Sequence, residues 1–217
     1  MSVGAADREG FAAFLLRMRA RGVVAKKLIA AVEAVPRRNF VAPKWHAAIW
    51  SQRMIPIDCG EALEGLDLQA RIIDALALED HHKVLEIGTG SGYTAALMSG
   101  MVSRLISVDR YKTLVDQARH RLEVLGISNV IVRQADAAKG LAGEGPFDRI
   151  VAWGSFESLP RAFVDQLSSN GLMIAPIGPA DGEQKLARLS KVGSRFDRED
   201  IGSVRLQPLI PGAAAMI

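Results

Sequence analysis

Two acids and three glycines occur at a spacing that suits recognition of a nucleoside. Glu86 lies near the end of one apolar run, and Asp109 ends the next. The loop after the first run contains Gly88, Gly90 and Gly92. Glycine lets the backbone turn sharply and approach a ligand closely. An acid at the end of the second strand is a typical acceptor for two ribose hydroxyls. The pattern therefore predicts a site for a nucleoside cofactor.

The loop differs from two other common phosphate or nucleotide loops. Its G-x-G-x-G spacing is not the G-x-G-x-x-G of dinucleotide sites, and it lacks the Lys-Ser or Lys-Thr ending of a P-loop. We assign Thr89, Ser91 and Arg110 to the cofactor site as well. A plain strand-to-helix turn is the alternative for the loop, and a helix N-cap is the alternative for Asp109.

A third acid follows the third apolar run. Asp136 is placed to accept a hydrogen bond from an adenine amino group, and its neighbour Ala137 is assigned to the same site. A simple turn residue is the alternative for Asp136. All these residues would lie at the carboxyl ends of parallel strands, where open α/β sheets bind their ligands.

The second half of the chain alternates between strand and helix patterns. Helical runs separate the strands, which favours right-handed βαβ units and a parallel sheet. The expected strands are 84–87, 105–108, 130–132, 149–152 and 172–176, and the expected helices are 94–101, 113–125 and 160–167. Two further strands, 185–192 and 201–209, are expected to pair antiparallel at one edge, joined by a charged turn at 194–200. The sequence thus predicts a Rossmann-like, doubly wound, mostly parallel sheet.

The first part of the chain has a different pattern. Apolar stripes predict two helices within 11–35, separated near Gly22 and closed before Pro36. Residues 39–57 indicate an irregular arm, and 60–78 indicate another helix. We therefore expect a helical extension over residues 1–78, followed by a cofactor-binding domain over 79–217, in one compact unit.

Composition excludes several classes of function. The chain has 217 residues, 49% of them hydrophobic, and a net charge of only +3 spread along it, so nucleic-acid binding is not expected. Its single cysteine fits a reducing compartment, and no signal-peptide or membrane-spanning run is found, so we expect a cytoplasmic protein. The four histidines lack metal-ligand spacing, so no metal is expected.

The glycine loop resembles motif I of class I S-adenosylmethionine-dependent methyltransferases. Other segments are similar to those of protein-L-isoaspartate O-methyltransferases, and the likeness extends from about residue 11 to residue 209. They include Ala34–Val41 (AVPRRNFV), Ile55–Ile57 (IPI), Gly171–Gly178 (GLMIAPIG) and Val204–Leu209 (VRLQPL), and this ordered set is far more specific than motif I alone.

This resemblance implies an enzyme of protein repair that methylates the free carboxylate of isoaspartyl residues. S-adenosylmethionine would be the cofactor and S-adenosylhomocysteine the product, with Glu86 and the loop 88–92 holding the amino-acid half. An ionised carboxylate needs no general base, which agrees with the lack of a His or Cys constellation. The partner would be a damaged protein or peptide, and we expect a monomer or weak dimer.

The acceptor loop departs from the family pattern. The family loop reads approximately G-x-G-Q-T-I-S-x-P, and the corresponding residues here are 58–66, DCGEALEGL. Ala62 and Glu64 stand at the catalytic positions where the family has Thr and Ser. If Glu64 faces an anionic acceptor, repulsion would be roughly 4 kcal/mol, whereas an outward Glu64 would cost little. Because two hydroxyl donors are lost and the acceptor is an anion, we expect isoaspartyl methylation to be weak or absent. The alternatives are a methyltransferase with another acceptor, or a cofactor-binding homologue without catalysis.

Overall fold

A computed structural model describes residues 5–136, 138, 140, 141 and 143–214. The helices are α1 (Ala5–Ala20), α2 (Lys26–Ala34), α3 (Leu66–Ala75), α4 (Tyr93–Ser99) and α5 (Lys112–Val124), with short 3-10 helices at Arg37–Phe40, Pro43–Ala48, Asp58–Gly60 and Arg161–Gln166. The strands are β1 (Ile55–Pro56), β2 (Ala62–Leu63), β3 (Lys83–Ile87), β4 (Arg104–Asp109), β5 (Val130–Gln134), β6 (Phe147–Ala152), β7 (Leu167–Ile177), β8 (Gln184–Val192) and β9 (Arg195–Val204).

Seven strands form one sheet in the order β5-β4-β3-β6-β7-β8-β9. Strands β3 to β7 pair in parallel, and β8 and β9 add to β7 in antiparallel fashion. The predicted mostly parallel α/β sheet with an antiparallel edge is confirmed. Since β4 and β6 both flank β3, the strand order reverses there, and a crevice is expected at the carboxyl end of β3.

Strand β3 shows how the sheet is buried on both faces. Val84 belongs to one hydrophobic cluster, which also contains Phe14 of α1 and Leu66 of α3, whereas Leu85 belongs to a second cluster on the other face. Side chains alternate along a strand, so Glu86 points to the same face as Val84. The first cluster therefore joins the N-terminal helices to the sheet and surrounds Glu86.

The first two helices end as the sequence predicts. Gly22 has a φ of +76°, and the N–H groups of Gly22 and Val23 bond back to carbonyls of the last turn of α1, which is a glycine-terminated helix end. Val35 is extended before Pro36. The arm at 39–57 contains 3-10 turns and the short strand β1 rather than only irregular backbone.

Two expected helices are wrong in part. The helix predicted over 60–78 begins only at Leu66, because Cys59 and Gly60 have φ values of 62° and 74° and Ala62–Leu63 pairs with Ile55–Pro56. The segment expected as a helix at 160–167 forms a 3-10 helix. The strand expected over 201–209 is also wrong at both ends, because β9 runs from Arg195 to Val204. Most of the charged residues expected to form a turn at 194–200 therefore lie in β9, whose first six residues include five charged ones.

Candidate functional site

The glycine loop packs closely against its neighbours. Gly88, Gly90 and Gly92 all have positive φ, at 91°, 51° and 86°. A Cβ on Gly92 would lie 2.9 Å from the Cβ of Ala118 in α5. The N–H groups of Gly88 and Thr89 donate to the carbonyl of Val108 at 2.8 and 3.1 Å, which fixes the loop to the end of β4. Glycine at these positions therefore serves both the conformation and the packing of the loop.

Glu86 lies beneath the loop and is fully buried. Its Oε1 accepts hydrogen bonds from Thr94 Oγ1 at 2.5 Å and Trp153 Nε1 at 2.9 Å, and its Oε2 accepts one from Ser107 Oγ at 2.6 Å. Burial raises the pKa of Glu86 to about 7, although these three hydrogen bonds oppose the rise. Glu86 thus links the end of β3 to the start of α4, to β4 and to Trp153 after β6.

Asp109 holds the backbone at the end of β4 and also lines a cavity. Its Oδ2 accepts a hydrogen bond from the Gly90 N–H at 2.9 Å, and its Oδ1 accepts one from the Tyr111 N–H at 3.0 Å. The residue is 8% exposed and lines a cavity. Burial raises the pKa of its carboxyl, although the N–H donors oppose the rise. The backbone N–H groups of Gly90, Tyr111 and Arg110 bond this carboxylate, whose two oxygens offer about four lone pairs, so Asp109 can still accept a hydrogen bond from a ligand.

The cavity lies at the carboxyl ends of β3, β4 and β6, where the strand order predicts a crevice. Its volume, including the part that is open to solvent, is about 560 Å³. Its lining comes from the acceptor loop, the strand ends and the C-terminal segment: Glu61, Ile87, Gly88, Val108, Asp109, Arg110, Ala135, Asp136, Trp153, Gly154, Gln207, Pro208, Leu209 and Ile210. A mostly apolar cavity with a few acids at one edge suits an adenosine group.

Four of the residues assigned to the cofactor from the sequence line this cavity, namely Gly88, Asp109, Arg110 and Asp136. Ala137 lies outside the described residues. The other assigned residues are not in the lining: Glu86, Thr89, Gly90, Ser91 and Gly92. Two of them support the cavity from behind, because Thr89 Oγ1 bonds Ser107 Oγ at 2.6 Å and the Gly90 N–H bonds Asp109. Ser91 lines a different cavity, together with Ile57 and Asp58.

One buried polar atom in the cavity wall favours a ligand there. Arg110 lines the cavity, and its buried Nε has no hydrogen-bond partner among the described residues. Buried polar atoms are normally satisfied, so a ligand or water would supply the missing partner at this position. A cavity lined by two acids, Asp109 and Asp136, and by this unpaired donor fits S-adenosylmethionine.

The C-terminal segment of the lining was not predicted from the sequence. The Gln207 side chain donates to the carbonyl of Gly60 at 3.1 Å, and Ser155 exchanges backbone hydrogen bonds of 2.9 Å with Gln207 and Leu209. Trp153 and Gly154, which follow β6, complete this wall. The segment 204–209 resembled a family segment, but its spacing gave no indication of where it would lie.

The acceptor loop places its acids differently from the sequence expectation. Ala62 and Glu64 do not line the cavity, whereas Glu61 does. Glu64 is 8% exposed, and its charged neighbour is Arg37. Burial raises the pKa of Glu64 to about 7, although Arg37 opposes the rise. Glu64 therefore points neither outward nor into the cavity, and repulsion of an acceptor held there loses its basis.

Arg37 holds the acceptor loop against α4. It is 3% exposed, and its guanidinium donates to the carbonyls of Ile49 at 2.9 Å and Glu64 at 2.6 Å. The same group lies 5.3 Å from the ring centre of Tyr93, the first residue of α4. Burial lowers the pKa of Arg37 to about 10, which still leaves it charged at neutral pH.

The burial of Glu64 predicts a pH dependence of stability. The pKa of Glu64 rises from 4.5 to about 7 on folding, so between these values the folded chain holds a proton that the unfolded chain releases. Stability contributed by this group is therefore lost as pH rises through that window. Between pH 5.5 and 6.5, we expect the free energy of unfolding to fall by about 1 kcal/mol more in the natural protein than in Glu64→Gln.

Urea unfolding at both pH values measures this difference. Glu123→Gln, an exposed change on α5, controls for the loss of an acid. Equal pH slopes for the natural protein and Glu64→Gln would show that Glu64 stays ionised in the folded state.

Potential metal ligands occur together elsewhere in the chain. Among the described residues, Glu79, His81 and His82 place ligand atoms within 4.8 Å of one another, in the loop before β3. His82 Nδ1 already accepts a hydrogen bond from the Glu79 N–H at 2.9 Å. This loop lies at the end of β3 opposite the cavity.

No helix of the described chain is both long and apolar enough to cross a membrane.

Comparison with known proteins identifies the family. A profile of the family described as protein-L-isoaspartate(D-aspartate) O-methyltransferase matches residues 11–213. The chain belongs to this family. A protein-L-isoaspartate O-methyltransferase of Rhizobium meliloti is 43% identical over 202 residues, which covers 93% of this chain and 99% of the relative. A protein of the same name from Azorhizobium caulinodans is 41% identical over 217 residues, covering 100% of both chains.

Solved structures support the same fold. A structure named protein-L-isoaspartate O-methyltransferase has a TM-score of 0.81 at 23% identity, covering 94% of this chain and 67% of that one. A Plasmodium falciparum protein in complex with S-adenosyl-L-homocysteine has a TM-score of 0.77 at 22% identity, covering 91% and 97%. Membership in the isoaspartyl methyltransferase family confirms the prediction of an S-adenosylmethionine-dependent O-methyltransferase.

Proposed function

We propose that this chain transfers a methyl group from S-adenosylmethionine to the free carboxylate of isoaspartyl residues in damaged proteins or peptides. The observation that carries the proposal is the cavity at the carboxyl end of β3, which is lined by both Asp109 and the acceptor loop. The chain also matches isoaspartyl methyltransferases over nearly its whole length. The fold, the cavity and the family resemblance all support the same reaction.

The cofactor would be held by the lining residues of the cavity. Asp109 would accept from the ribose hydroxyls, Asp136 would accept from the adenine amino group, and Gly88 would allow close approach of the backbone. Ala137 is proposed for the adenine end as well. When bound, S-adenosylmethionine supplies a methyl group on a positively charged sulfur. Glu86, Thr89, Gly90, Ser91 and Gly92 would shape the site from behind rather than line it.

The protein's contribution to the chemistry is alignment. The acceptor carboxylate is ionised at neutral pH and is already a nucleophile, so no side chain has to remove a proton. The acceptor loop would position this oxygen, and the C-terminal segment would keep water out, since Gln207 ties one to the other. Ala62 and Glu64 would act through the shape of the loop rather than by contact with the reacting atoms.

The second candidate function is methyl transfer to a neutral or positively charged acceptor. Glu61 lies in the cavity lining and adds negative charge where the family has a neutral Gln. This position favours a neutral or cationic acceptor over an anionic one if the acceptor comes close to Glu61. The same assay separates the two candidates, because only the first predicts methylation of isoaspartate.

We expect the purified protein to methylate an isoaspartyl peptide and not the matched peptide with normal aspartate. Transfer of a labelled methyl group followed by release of volatile methanol measures the reaction. Asp109→Ala serves as the control, because it should lose transfer together with cofactor binding. Tight binding of S-adenosylhomocysteine without any transfer to the isoaspartyl peptide would contradict the proposal and favour another acceptor.

A further inference from the structure

Glu61 places a carboxylate in the cofactor cavity without a protein partner. It is half-buried and lines the cavity with Asp109, Arg110 and Asp136. Among the described residues, none forms a hydrogen bond or an ion pair with its carboxylate. The electrostatic neighbours of Glu61 are Asp109 and Arg110, of opposite charge to one another. An acid that is partly removed from water without a partner favours a ligand that brings positive charge.

The backbone of Glu61 is held in place. Its N–H donates to the carbonyl of Asp58 at 3.3 Å, and its carbonyl accepts from the N–H of Ile57 at 2.9 Å. The preceding carbonyl, that of Gly60, accepts from the Gln207 side chain at 3.1 Å. The carboxylate therefore starts from a fixed point at the cavity wall, and only its own side-chain torsions remain free.

The lining is electronegative as a whole. Three of the lining residues are acids, namely Glu61, Asp109 and Asp136, whereas Arg110 is the one base in the lining. S-adenosylmethionine carries a positive sulfur, whereas S-adenosylhomocysteine carries a neutral one. The two molecules otherwise differ only by a methyl group, so the shape of the cavity can hardly distinguish them. Negative charge in the cavity wall can distinguish them, because it favours the molecule with the positive sulfur.

We propose that Glu61 makes the cavity prefer the positively charged cofactor over the neutral product, and so limits product inhibition. This inference rests on the proposed function, because it assumes that S-adenosylmethionine binds in this cavity. Glu61 stands where the family loop has Gln, so Glu61→Gln removes the charge while it keeps the shape and restores the family residue. The position is thus a specificity-determining residue for the charge at the sulfur.

Calorimetric dissociation constants of three probes test the proposal. They are S-adenosylmethionine, S-adenosylhomocysteine, and sinefungin, which has a protonated amine in place of the methylated sulfur. We expect Glu61→Gln to weaken the two charged probes by about three- to tenfold relative to the neutral one, as for one unit charge several ångströms away in a partly solvated cavity. Glu33→Gln, an exposed change on α2, is the matched control and should leave all three constants unchanged.

The other outcomes of this binding experiment distinguish failure of the Glu61 proposal from failure of the proposed function. An unchanged ratio between charged and neutral probes in Glu61→Gln would overturn the proposal. Equal weakening of all three probes would also overturn it, because Glu61 would then only position the loop. Failure of the natural protein to bind any of the three would instead contradict the proposed function. A preference that shrinks in high salt would support the charge-based explanation.

Discussion

Replacing Arg37 with methionine is expected to lower the free energy of unfolding by about 3 to 5 kcal/mol. The change removes a buried cation that donates to the carbonyls of Ile49 and Glu64 and lies over the ring of Tyr93. Methionine retains much of the volume of the arginine stem but leaves both carbonyls without this donor. It also leaves the buried Glu64 carboxyl without its cation.

Urea unfolding at pH 8 measures this loss. Arg37→Lys is the matched variant, because it keeps a charge but cannot reach both carbonyls as a guanidinium can, and we expect an intermediate loss. The loss in Arg37→Met should be smaller at pH 5.5, where Glu64 is protonated, and combining it with Glu64→Gln should remove that pH effect. A loss below about 1 kcal/mol at pH 8 would show that Arg37 does not hold the acceptor loop.

Replacing Asp109 with alanine is expected to weaken the binding of S-adenosylhomocysteine about ten- to a hundredfold. The change removes the charged acceptor that we propose for the two ribose hydroxyls, and hydrogen bonds to charged groups contribute about 1.5 to 3 kcal/mol. Isothermal calorimetry gives the dissociation constant directly. Asp109→Asn keeps one acceptor oxygen and should lose less.

Stability must be followed alongside this affinity, because Asp109 also accepts hydrogen bonds from Gly90 and Tyr111. If Asp109→Ala remains folded at the temperature of the titration, a weaker affinity reports on the site itself. Unchanged affinity in a folded variant would mean that the cofactor lies elsewhere in the chain.

Local spacing explains which parts of the site could be predicted. The loop 88–92, the acid at Asp109 and the alternation of strands and helices all follow from residues close together in sequence. The helix expected over 60–78 failed at its start, because the left-handed backbone of Cys59 and the pairing of β1 with β2 depend on the tertiary structure. Helix propensity alone does not show that tertiary contacts prevent a helix at residues 60–65.

The remaining features depend on distant partners. Gln207 contacts Gly60 across 147 residues, and Arg37 reaches Glu64 across 27. A glutamate is normally expected at the surface, so the burial of Glu64 could not be foreseen without knowing that Arg37 lies beside it. For the same reason the sequence did not distinguish Glu61, which lines the cavity, from Glu64, which does not.

One outer strand of the sheet bears on how this enzyme meets its proposed substrates. Damaged chains expose backbone that readily pairs with an open sheet edge. At one edge, β9 begins with five charged residues in six positions. Charged residues on an edge strand discourage the addition of another strand. A loose segment of a damaged protein is therefore less able to extend the sheet at β9.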